Sequence, residues 1–172
     1  MFVEDSDGLI DLTARQALYQ AMQKILLCPE DYESAKMENT LIDTMDEIVH
    51  SLSGRKVLVY AWYNNSIEKL VKHYAHLKPA VLNGTVTGAN REANKQRFIN
   101  DPECLMLIAN PKSGGVGVDG LQHVCSHVIY AEVCPFVGTF KQSIDRLHRT
   151  GQKDSSVNSK KSRRRYLKLQ KM

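Results

Sequence analysis

Residues 104–131 read Cys-Leu-Met-Leu-Ile-Ala-Asn-Pro-Lys-Ser-Gly-Gly-Val-Gly-Val-Asp-Gly-Leu-Gln-His-Val-Cys-Ser-His-Val-Ile-Tyr-Ala. Two continuous apolar runs, Cys104–Ala109 and His127–Ala131, flank a glycine-rich turn. A run with no polar alternation is the mark of a strand covered on both faces. Only six residues separate Gly120 from His127, so no long helix fits between the glycine turn and the second strand.

Outward from this stretch the same logic repeats. Val57–Tyr60 is a short run of strand formers, and Pro79–Leu82 is another, ended by Asn83-Gly84. Between them Ile67, Leu70, Val71 and Tyr74 recur at helical spacing over Asn64–His76, and Ala89–Ile99 reads as a polar helix. Phe136–Arg149 reads as a helix capped by Gly151. From residue 54 the order is strand, helix, strand, helix, strand, short helix, strand, helix. That alternation predicts an α/β fold, a parallel sheet with helices on both faces. Upstream, residues 13–27 and 34–52 carry helical periodicity, with Pro29 stopping the first and Ser53-Gly54 the second. Ligands of such sheets bind at the carboxyl ends of the strands. The loops after Tyr60, Leu82, Ala109 and Ala131 therefore carry the function.

At 172 residues the chain is long enough for one domain with a substantial core. The formal charge of +4 is unevenly spread. Residues 158–172 hold seven cations and no acid, which leaves −3 for residues 1–157. The basic balance thus belongs to a tail and is no sign of nucleic-acid binding by the fold. A charge run of this kind is most often solvated, so the tail is expected to be disordered. Cys28, Cys104, Cys125 and Cys134 lack zinc-site spacing and suggest no disulfide framework. A reducing compartment is the simpler expectation, cytoplasmic or nuclear and not secreted. No 18-residue apolar run predicts a membrane span, and no metal site of the chain's own is expected.

Two matches to familiar motifs fail on local structure. Asp46-Glu47-Ile48-Val49-His50 has the look of an acidic metal-holding box, but such a box needs a buried strand before it, and here the period is helical. Gly115-x-Gly117-x-x-Gly120 formally matches a dinucleotide fingerprint, with Glu132 near the place of the ribose-binding acid. That fingerprint requires a crossover helix, for which six residues leave no room.

Lys141–Gln152 reads Lys-Gln-Ser-Ile-Asp-Arg-Leu-His-Arg-Thr-Gly-Gln. Arg146 and Arg149, three apart, share one helix face. Two rigid guanidinium forks on one face can grip phosphate oxygens that carry developing charge. Taken singly, each arginine is explained as a basic residue in the last turn of a helix. That does not explain the doubled arginine together with the glycine loop and the strands before it.

The pattern resembles the C-terminal RecA-like lobe of superfamily-two helicases, specifically the Swi/Snf-type DNA translocases. Gln142-x-x-Asp145-Arg146-x-His148-Arg149-x-Gly151-Gln152 is similar to that family's motif VI. Lys112–Val118 resembles motif V, and Leu82-Asn83-Gly84-Thr85 with Arg91 and Phe98 resembles the segment between motifs IV and V. Leu12-Thr13-x-x-Gln16-x-Leu18-Tyr19 resembles the linker before the lobe. The likeness covers about residues 9–153. It departs from the family at Asn110-Pro111, where motif V usually has Thr or Ser, and at Asp119, where it usually has Asn.

The resemblance implies roles. Arg146 and Arg149 would be arginine fingers reaching the γ-phosphate of ATP held by another lobe. Gly117, Asp119 and Gln142 would lie at the nucleotide, and Gly84, Thr85, Lys112, Ser113 and Gly114 at the DNA backbone. Partners would be a first RecA-like lobe, on the same or a separate polypeptide, and DNA, with no membrane. The cofactor would be ATP with magnesium, used only when the chain is joined to that lobe. No Gly-x-x-x-x-Gly-Lys-Ser/Thr occurs in the 172 residues. The chain is therefore expected to be half of an ATP-hydrolysing motor and inactive alone. The alternative is a non-catalytic nucleic-acid-binding or regulatory module of the same RecA-like shape. The expected organisation is a helical linker over 1–33, the lobe over 34–157 and the basic tail over 158–172.

Overall fold

The apolar runs become the centre of the molecule. In the computed structural model, which describes residues 2–5, 8–11, 15–28, 40–86, 88–114 and 120–132, four strands form one sheet. These are β3 (Val57–Tyr60), β4 (Ala80–Leu82), β5 (Met106–Ala109) and β6 (His127–Tyr130). Their order is β4-β5-β3-β6, and every pairing is parallel, Val57 lying opposite both Met106 and His127. Parallel neighbours need crossovers, which α3 (Asn64–His73) and α4 (Gly88–Asn100) supply. No residue of β3 or β5 is more than 2% exposed, the outcome expected of unalternating strands at the middle of a sheet.

The pleat sends alternate residues to two separate cores. Val57, Val59, Met106, Ile108 and Ile129 pack with Leu27 at the end of α1 (Arg15–Leu27), with Ile42 and Met45 of α2 (Thr40–Ser51), and with Ile67 and Leu70 of α3. Leu58, Tyr60, Leu107 and Ala109 pack on the other face with Phe98 of α4, Leu121 and Cys125. Helices thus cover both faces, as the sequence alternation predicts. The α2 helix stops where expected, because Ser53 and Gly54 both take positive φ. Its first six expected residues, 34–39, lie outside the described residues, as do the expected helix at 136–149 and the basic tail.

Two features depart from the expectation. An antiparallel hairpin, β1 (Phe2–Asp5) with β2 (Gly8–Asp11), precedes the linker helix. The α3 helix ends at His73 rather than His76; a 3-10 turn, Ala75–Leu77, follows and closes on Lys78 at φ +49°.

At the amino edge of the sheet, the half-buried Lys56 donates its ammonium hydrogens to the carbonyls of Phe98, Ile99 (3.3 Å) and Asp101 (2.8 Å). Phe98 and Ile99 lie in the last turn of α4 and Asp101 directly follows it, and a cation there answers both the unpaired acceptors and the negative end of the helix. Lys56→Met should lower stability by about 1.5–3 kcal/mol, the usual worth of hydrogen bonds from a charged group. Thermal unfolding measures it, and an unchanged midpoint would show that water replaces the ammonium at no cost.

Candidate functional site

The carboxyl edge of the sheet gathers four loops, and side-chain amides and one carboxylate fix their shape. After β4, Asn83 is buried and turns its Oδ1 back on its own loop. It accepts from the Thr85 amide (3.2 Å), the Thr85 hydroxyl (2.7 Å) and the Val86 amide (3.2 Å). An Asn that binds its own backbone two residues on makes a tight turn. The turn leaves Gly84 and Thr85 exposed at its tip.

After β5, Asn110 joins three strands' ends. Its backbone amide donates to Leu82 O (3.0 Å), and its side-chain Nδ2 donates to Trp62 O (2.7 Å). Its Oδ1 accepts from the Lys112 amide (2.9 Å). That last bond is an N-cap of the one-turn helix α5 (Pro111–Gly114), and Pro111 suits the first helical position because it has no N–H to leave unpaired. Lys112 is exposed, and its ammonium stands 5.8 Å from the centroid of the Trp62 ring, within cation–π range.

After β6, Glu132 is 2% exposed. Its carboxylate accepts from the amides of Trp62 and Tyr63 and from the Ser66 hydroxyl. These groups open α3, so the acid answers the positive end of that helix. Burial pushes the carboxyl above its ordinary value, against the pull of the Ser66, Trp62 and Tyr63 bonds. The Tyr63 phenol is pushed up to about 12, first by burial and then by the Glu132 charge.

Several expected site residues can now be placed. Gly84 and Thr85 follow β4 and Lys112 follows β5, so neighbouring strands present them at one edge. Ser113 and Gly114 complete α5. Gly117, Asp119, Gln142, Arg146 and Arg149 lie outside the described residues. The dismissal of the acidic box at 46–50 stands on structure: Asp46 and Glu47 lie within α2, and Asp46 holds His73 of α3 at 2.9 and 3.0 Å. Glu132 is occupied by α3. Sequence reasoning missed Asn83 and Asn110 as organisers; their signal was an Asn directly after each apolar run. Among the described residues no group of His, Cys, Asp and Glu is arranged to hold a metal, and no helix is long and apolar enough to cross a membrane.

Comparison with known proteins agrees with this geometry. Residues 40–151 match the helicase conserved C-terminal domain. The DNA repair protein rad8 of Schizosaccharomyces pombe is 29% identical over 123 residues, covering 70% of this chain and 10% of that protein. The C-terminal part of the Fun30 ATPase domain superposes with a TM-score of 0.59 at 20% identity, over 78% of this chain and 47% of that one. The Sulfolobus solfataricus SWI2/SNF2 ATPase core in complex with dsDNA gives 0.57 at 19% identity, over 80% of this chain and 30% of that one. The chain therefore spans about a tenth of the curated relative and a third to a half of these solved chains. With a parallel sheet covered on both faces and a domain match over most of its length, the chain belongs to the helicase conserved C-terminal domain family, and its fold is that of the C-terminal lobe of SWI2/SNF2 ATPases.

Proposed function

We propose that the chain is the second ATPase lobe of a DNA-dependent ATP-hydrolysing translocase. The observation that carries the DNA half is the carboxyl edge of the sheet. There the Asn83 turn holds Gly84 and Thr85 outward, and α5 holds Lys112 outward on the next strand. Small residues, a hydroxyl and a lysine suit contacts to phosphate, which position a protein on DNA without reading sequence. A solved SWI2/SNF2 core of this fold was captured with dsDNA, which supports DNA as the partner.

In the ATP half, Arg146 and Arg149 act as fingers on the γ-phosphate, and Gly117, Asp119 and Gln142 line the nucleotide. ATP and its magnesium are held chiefly by a first RecA-like lobe that carries the P-loop this sequence lacks. When bound, the nucleotide supplies the phosphoryl group; the part of this chain is to stabilise charge and to hold DNA in register.

The DNA half is tested on the full chain with two unrelated duplexes. Lys112→Ala should weaken both equally and reduce the slope of log affinity against log salt by about one. A slope that does not move, or a loss confined to one duplex, contradicts the assignment.

A further inference from the structure

We propose that Asn110 is a positioning residue that sets the Lys112 ammonium for phosphate contact, with the Trp62 ring as its seat. The inference rests on the reading that Lys112 touches the DNA backbone. One side-chain amide does two jobs here. Its oxygen fixes the start of α5 through the Lys112 amide at 2.9 Å, and its nitrogen fixes the loop after β3 through Trp62 O at 2.7 Å. The two loops lie 48 residues apart in sequence and belong to adjacent strands, β3 and β5. Bridging them places the lysine of one above the indole of the other, at 5.8 Å.

A free lysine has four rotatable carbon–carbon bonds, and ordering a long side chain for one contact loses entropy. A seat that holds the ammonium in place before the phosphate arrives removes part of that loss from binding. The ring face adds attraction for the ammonium, whose distance of 5.8 Å from the centroid is within cation–π range. A serine in this place could still cap α5 through its hydroxyl but has no side-chain amide to donate to Trp62 O. The bridge is therefore a property of the Asn in this chain.

A double-mutant cycle in the full chain tests this, read as affinity for a labelled duplex and as its salt slope. Asn110→Ala should weaken binding in the same manner as Lys112→Ala, and the double variant should match Lys112→Ala alone within about twofold, because one residue acts through the other. Asn110→Ser separates capping from bridging. It should behave like Asn110→Ala in binding while retaining the thermal midpoint that a capped α5 gives. Trp62→Ala should also be non-additive with Lys112→Ala, and Trp62→Phe, which keeps a ring, should retain most of the affinity. Additive losses from Asn110→Ala and Lys112→Ala overturn the positioning role and leave the DNA reading standing. Full binding by Asn110→Ser also overturns it, since a cap alone would then suffice. No change from Lys112→Ala overturns the DNA reading and the positioning role together.

Discussion

Arg149→Ala, in a complex of this chain with a first lobe that carries a P-loop, lowers DNA-stimulated ATP turnover by about 10³-fold or more, with a much smaller change in ATP binding. The split between the two effects is the argument. In phosphoryl transfer negative charge spreads over the equatorial oxygens as the bond to the leaving oxygen loosens. A guanidinium that meets those oxygens mainly in the transition state raises kcat and contributes little to the ground state. Arg146, three residues away in the sequence, would share the work. A simple helix-end cation would instead give an unchanged kcat and a small loss of stability. Steady-state turnover with nucleotide binding measured separately distinguishes them.

Glu132→Ala should cost roughly 2–4 kcal/mol of stability, since two amides and a hydroxyl at the start of α3 lose their acceptor in a buried place. Glu132→Gln separates the acceptor from the charge. Its amide oxygen can still accept from Trp62 and Tyr63, and its nitrogen can donate to Ser66. Burial holds the native carboxyl above its ordinary 4.5. The folded chain therefore keeps a proton over a range where the unfolded chain has lost it, and stability falls as pH rises through the folded value. The glutamine variant has no such slope. Its stability relative to the native chain should rise with pH from 4.5 upward and level off above the folded value. Parallel unfolding curves at every pH would show that the three donors already neutralise the cost of burial.

Much of this architecture could be read from residue order. Val57–Tyr60 and Met106–Ala109 announce themselves because strands covered on both faces carry no polar residues to confuse the pattern. The ends of elements were less legible. Cys104 and Leu105 continue the apolar run of β5, yet the Cys104 amide turns back to Asp101 O, and the strand begins only at Met106. Apolar character alone made them look like strand. The hairpin at residues 2–11 escaped because each strand has four residues, too few for a period to register.

The site divides in the same way. Gly84, Thr85 and Lys112 were named through the family resemblance, in loops that follow strand-like runs. Their supports were not, because each depends on chain that is distant in sequence. Glu132 reaches Trp62 across 70 residues and Asn110 reaches it across 48. No local pattern encodes which carbonyl or amide will stand opposite a buried side chain. Glu132 also shows how a motif can mislead. It stands where a ribose-binding acid would be counted, and its carboxylate is committed to the first turn of a helix.

The central claim is that this chain is one half of a motor. The most direct measurement is ATP turnover by the chain alone, by a first lobe alone, and by the two joined, each with and without duplex DNA. The account predicts no turnover above background from the chain alone, and turnover that is both new and DNA-stimulated when the lobes are joined. Hydrolysis by the purified chain alone would contradict it. So would a joined protein that binds ATP and DNA yet turns over no faster than the first lobe by itself.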